Sequence, residues 1–186
     1  MSDQIRPPVY SSASKWIHWL TALCVLMIIP GGILMTHMEE GPLQDQIYDL
    51  HRSFGVVVFI LAVTRVAARK AFGTPAPVEA LTPLERRASV AVHHSLLTLI
   101  FVMPILGVVM TSFYGDGVSV FGLFTLPQMF AKNEPVYDVL AAIHGWLGYL
   151  MAALILSHFG GAIMHTFIKR DGVLQRMLPA PRKGQV

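Results

Sequence analysis

The sequence predicts an all-α membrane protein, a bundle of four transmembrane helices with both termini in the cytoplasm. Three observations carry this. Apolar residues make up 54% of the 186-residue chain and charged residues only 13%, too little polar surface for a soluble domain of this size. Four segments are apolar enough to cross a hydrocarbon core of about 30 Å, which takes about 20 helical residues. Lys and Arg gather on one side of those segments.

The spans fall at about 17–35, 47–67, 90–112 and 139–168, within a single domain covering 1–186. The fourth is long enough to tilt or to project beyond the bilayer. Pro30-Gly31-Gly32 is expected to bend or loosen the outer end of the first span, and Pro104 to kink the third. Bundle neighbours can satisfy the freed backbone groups. The second connection, AFGTPAPVEALTPLERR, reads as extended until Thr82-Pro83 starts a helical approach to span three. The third, YGDGVSVFGLFTLPQMFAKNEP, carries phenylalanines and leucines that suit lying along the membrane surface and capping the bundle. No repeat or low-complexity tract interrupts this plan.

Charge sets the orientation. Arg6 and Lys15 precede the first span. Arg69, Lys70, Arg86 and Arg87 occupy the second connection, with Arg65 just inside helix two. Lys169, Arg170, Arg176, Arg182 and Lys183 follow the last span. The other connections offer only Arg52, at the start of helix two, and Lys132. Both termini and the second connection are therefore expected inside. The start, MSDQIRPPVYSSASKW, has no short apolar core before a small-residue cleavage site, so no removed signal peptide is expected.

Eight histidines in so apolar a chain need a reason, because ionisable groups within spans are costly and usually face the bundle interior with a task. Any one alone reads best as a satisfied structural or interfacial histidine. The pattern is more telling. His144 and His158 are fourteen residues apart on helix four, nearly four turns, so they share a face about 21 Å apart along the axis. By topology His144 and His51 lie in the outer half, His18 and His158 in the inner half. Each depth thus offers two imidazoles from different helices, as a site in a bundle core requires. Two imidazoles at one depth can supply both axial ligands of a haem iron. A zinc site would want three or four protein ligands. Two stacked haems would give electrons a path across the bilayer. Gly55, Gly145 and Gly148 beside the ligands would let a flat macrocycle approach the backbone, or serve close helix packing. The lone cysteine, Cys24, allows no internal disulfide and reads as packing; no CxxCH exists, which excludes covalent c-type haem.

The motifs SKWIHWL, LHRSFGVVVFILAVTRVAAR, HHSLLTLIFVMPILGVVM, HGWLGYLMAALILSH and KRDGVLQRMLP together resemble the prokaryotic cytochrome b561 family over nearly the whole chain. The resemblance implies ligation of two haems b, one by His18 with His158 and one by His51 with His144. It also implies electron exchange with ubiquinone or another quinone in a bacterial inner membrane. Composition shows no quinone, and nothing points to a nucleic-acid partner.

Other residues suit supporting roles beside those ligands. Arg52 follows a ligand and suits a haem propionate, or interfacial snorkelling. Arg65 lies fourteen residues after His51 and suits the inner propionates, while Arg69 reads as a topology charge. His165, two turns beyond His158, and His93 or His94 at the same boundary could relay quinone protons. Trp19 could stack on a quinone ring or the haem. Interfacial anchoring is the other reading for these. His37 has no assigned role. Met27, Met35, Met103, Met110 and Met151 read as gap filling.

Some members of the family oxidise superoxide on the outer side. A cationic outer mouth would favour that. Here THMEEGPLQDQIYDLH and Asp116, Glu134 and Asp138 make the outer face net acidic, apart from Arg52 and Lys132. Three functions stay open: a dihaem conduit between an outer redox partner and the quinone pool, a superoxide:ubiquinone oxidoreductase, and a non-redox bundle such as a small transporter or assembly factor.

Overall fold

The computed structural model describes residues 9–75 and 81–179. Arg6, Arg182, Lys183 and the middle of the proline-rich second connection lie outside the described residues. Four helices dominate: α1 (Ser12–Met35), α2 (Pro42–Phe72), α3 (Pro83–Tyr114) and α4 (Glu134–Ile163). Each is long and apolar enough to cross a membrane. The chain is a multi-pass membrane protein whose outward side chains meet lipid; Trp146 and Leu156 are 75% and 71% exposed.

The helices overrun the apolar windows because their ends carry good start signals. Ser11 caps α1 by accepting from the Ser14 N–H. Thr82 and Glu85 form a capping box around Pro83, so α3 begins where Thr82-Pro83 marks it, well before the apolar run. Asn133 caps α4 through Val136 N–H. Helix two begins at Pro42, which places Arg52 ten residues inside it rather than at its start. Pro30 and Pro104 both lie inside continuous helices, and Pro30-Gly31-Gly32 stays helical. After Ile163 the helix widens into a π segment, Met164–Lys169, a form that recurs at functional sites.

Neighbouring helices pack in chain order, α1 on α2, α2 on α3 and α3 on α4. Among the described residues α1 and α4 make no extensive contact, and a slot lined by Leu26, Ile29, Ala152 and Ile155 lies between them. The core at mid-depth draws on every helix: Cys24 and Val25, Val58 and Ala62, Leu99 and Ile100, and Met151. Cys24 and Met151 therefore act as packing groups.

The third connection caps one end, as its apolar content suggests, but it does so with a β-hairpin. Strands β1 (Val118–Val120) and β2 (Phe124–Leu126) pair antiparallel, with Val118 opposite Leu126. Phe121 and Gly122 both take positive φ at the turn, the geometry favoured by tight hairpins. A Cβ on Gly117 would lie 2.6 Å from the Leu126 carbonyl oxygen, so only glycine fits there. The nearly inaccessible Ser53 of α2 fastens the hairpin: its hydroxyl donates to the Ser119 carbonyl at 3.2 Å and accepts from Phe121 N–H at 2.9 Å.

At the opposite end the chain termini meet. Tyr10 N–H donates to the Arg176 carbonyl, and Trp19 Nε1–H to the Met177 carbonyl at 2.9 Å. Lys169 is paired with Glu85, tying the π segment to the start of α3.

Candidate functional site

The helices bring four histidines together as two pairs. At the terminal end, the ring of His18 on α1 faces that of His158 on α4, centroids 6.2 Å apart. Toward the hairpin end, His51 on α2 faces His144 on α4, again at 6.2 Å. An imidazole nitrogen binds a metal at about 2 Å, which puts the ring centroid about 3 Å from the metal, so two imidazoles on opposite sides of one ion stand about 6 Å apart. Both pairs have that separation. Among the described residues no group of three or more His, Cys, Asp or Glu is placed to hold a bare metal ion. A pair of imidazoles would suit a group that brings the rest of its metal's ligands with it.

The surroundings of the second pair fit such a group. His51 Nδ1–H donates to the Ile28 carbonyl at 3.0 Å. A carbonyl can only accept, so the proton is on Nδ1 and the Nε2 lone pair is left for a metal. A Cβ on Gly32 would lie 2.9 Å from His51 Cε1, and one on Gly107 would lie 3.5 Å from His144 Cε1. His144 Nδ1 is buried with no hydrogen-bond partner, a cost a bound ligand can offset. Gly55 and Gly145 have nothing within 4 Å of a built Cβ, whereas Gly148 packs on Met103.

Residues 9–180 match the prokaryotic cytochrome b561 family. The chain belongs to that family. It is similar to cytochrome b561 homolog 2 of Escherichia coli K12, 32% identical over 96% of this chain and 95% of that one. Cytochrome b561 homolog 1 of the same organism is 23% identical over 91% of this chain and 97% of that protein. A Yersinia pestis protein named probable superoxide oxidase CybB is 27% identical over 93% and 97%. Membership makes this a membrane electron-transfer protein of a family that binds b-type haem.

The remaining candidate residues of this cytochrome b561-family chain fall into place unevenly. Arg65 Nη1–H donates to His18 Nδ1 at 3.1 Å, so this contact leaves the His18 proton on Nε2. Iron on Nε2 would require that proton to move and Arg65 to release Nδ1. Arg52 is not free: it lies 3.9 Å from Asp49, 3.6 Å from Asp116 and over the Tyr48 ring. Lys132 is paired with Glu134, whose hydrogen bond and charge raise the ammonium pKa above its usual value. Trp19 packs edge-on against His18, centroids 5.5 Å apart, while its Nε1–H holds the tail. His165 is buried, with Nδ1 2.5 Å from Asp171 Oδ2. His93 leaves the helix boundary to pack on the His158 ring. His94 is exposed and bonds only its own helix at Val90, and His37 bonds the Ile33 carbonyl.

Gly32, Gly107, the Ile28 carbonyl and Asp171 escaped the reading of the sequence. Gly32 carried a signal, a glycine pair beside a proline, that reads equally well as a helix-loosening device. A backbone carbonyl carries none.

Proposed function

We propose that this chain is a dihaem b-type cytochrome of the bacterial inner membrane, one cytochrome b561-type domain over residues 1–186. It carries electrons between an outer donor and the quinone pool. Both termini and the second connection are cytoplasmic, as the clustering of Lys and Arg favours. The hairpin end then faces outward.

The observation that carries the reading is the approach of His18 to His158 and of His51 to His144, each at 6.2 Å and at two depths. These four are the proposed iron ligands. Haem supplies a one-electron redox centre at each depth when bound. The chain's own part is orientation and exclusion. Ile28 fixes the His51 tautomer, and Gly32 and Gly107 give close seats to the outer ligands. Arg65 has a stronger partner in a propionate carboxylate than in a neutral imidazole, and moving to one would free His18 Nδ1. Arg52 would serve the outer propionates by exchanging its loose contacts with Asp49 and Asp116. At the inner end Trp19 offers an aromatic surface for a quinone, and His165, held by Asp171, an imidazole for its protons.

The test is haem content. His18→Ala and His51→Ala should each remove about half of the α-band of the purified protein, one of two equivalent sites. Full haem in both would overturn the ligand assignment. Redox titration of membranes with and without quinone then tests the quinone link: the inner centre should be reduced by quinol.

A second reading, superoxide:ubiquinone oxidoreductase, is favoured by the name of the Yersinia relative. The pairing of Arg52 and Lys132 with carboxylates weighs against it, since both cations of the outer mouth are neutralised. Stopped-flow mixing with superoxide decides: a rate no faster than spontaneous dismutation ends that reading. Family membership speaks against a non-redox bundle.

A further inference from the structure

Each helix sends one side chain to the terminal end of the slot: His18 from α1, Arg65 from α2, His93 from α3 and His158 from α4. His18, Arg65 and His158 belong to the proposed inner haem site. His93 has no role there that its position supports, because it lies against a proposed ligand.

The His93 and His158 ring centroids are 4.9 Å apart with planes at 88°. His93 itself is held: its Nδ1–H donates to the Ser89 carbonyl at 2.6 Å, one turn earlier on α3, with Ser89 Oγ at 3.3 Å. His158 is not held in that way. His51 has the Ile28 carbonyl on its Nδ1, but among the described residues neither ring nitrogen of His158 has a hydrogen-bond partner. Rotation about the last side-chain bond of a histidine is broad, so a rotamer does not fix the ring plane. Contact with a neighbour must do so.

We propose that His93 is a positioning residue that sets the plane of the His158 imidazole and, through it, the electronic character of the inner haem. An axial imidazole overlaps with iron orbitals to a degree that depends on its plane, and groups beyond the ligands tune such centres. The inference rests on the bis-histidine reading of the inner site.

The test uses the full-length, haem-loaded protein, with His93→Ala and His93→Phe beside the parent. Two haems per chain in the parent, and a parent inner-haem signal lost in His158→Ala, establish the underlying reading independently. His93→Ala should keep two haems per chain. It should shift the low-spin electron paramagnetic resonance signal and the midpoint potential of the inner haem, with the outer haem unmoved. His93→Phe, which restores a flat ring, should return the signal toward the parent. An unchanged inner-haem signal in His93→Ala overturns the proposal while leaving the dihaem reading intact. Loss of the inner haem in both variants also overturns it, because the role would then be more than orientation.

Discussion

Gly32 is the surface on which the His51 imidazole rests. A Cβ at Gly32 would lie 2.9 Å from His51 Cε1 and 3.2 Å from Nδ1, both parts of a ring fixed by Ile28. The ring cannot retreat without breaking that hydrogen bond. Gly32→Ala should therefore displace the ring, at a cost of about 1–3 kcal/mol for overpacking. On the proposed dihaem reading, the haem at His51 and His144 should be lost or weakened while that at His18 and His158 is kept, which haem-to-protein ratios will show. Gly31→Ala is the control, since its Cβ would meet Ile47 at an ordinary 3.9 Å.

The hairpin cap depends on one hydroxyl. Ser53 Oγ both accepts from Phe121 N–H and donates to the Ser119 carbonyl. Ser53→Ala leaves a donor and an acceptor unpaired, at about 1–3 kcal/mol. Limited proteolysis within 117–127 should speed up in this variant. Unchanged cleavage would mean that packing of β1 on α2 suffices.

Much of the fold was legible because a membrane makes its demands in composition. Length and apolarity are one-dimensional quantities. The two histidine pairs were legible for a related reason: fourteen residues on one helix fix both face and depth. The same argument pairs His18 with His158 and His51 with His144, the rings that approach to 6.2 Å. What stayed hidden depends on contacts distant in sequence. The three-residue strands are too short to carry an alternating pattern. The contact of Gly32 with His51 appears only once α2 lies on α1, and that of His93 with His158 only once α3 lies on α4. Arg52 and Lys132 read as free cations until their carboxylate partners are placed beside them.

Those carboxylates make the charge of the hairpin end adjustable. Asp49→Asn with Asp116→Asn leaves Arg52 uncompensated at the hairpin end. A cation next to a redox centre steers anions, and salt screens it over about 10 Å at 0.1 M. The double variant should react faster than the parent with an anionic outer reactant such as superoxide at low salt, and lose the advantage at high salt. Equal rates at both ionic strengths would show that Arg52 does not face the approach path.

Asp171 does two things where the tail turns back. Oδ2 takes the His165 Nδ1 proton contact, and Oδ1 accepts from Val173 N–H at 3.3 Å. Both side chains of the pair are nearly inaccessible, at 11% and 9%, so water cannot replace the lost partner. Asp171→Ala should therefore destabilise the terminal end by about 1–3 kcal/mol. Asp171→Asn, which keeps an acceptor, should cost less. Coupling is the sharper measurement. If the pair acts as a unit, His165→Ala and Asp171→Ala together should cost less than the sum of the two alone, by at least about 0.5 kcal/mol in thermal or denaturant unfolding. Strict additivity would assign the effect of Asp171 to its turn with Val173. Quinone reduction by the same variants then separates the two uses of His165. A slowed rate in Asp171→Asn with haem spectra unchanged follows if the imidazole serves quinone protons, and an unchanged rate follows if the pair only anchors the tail.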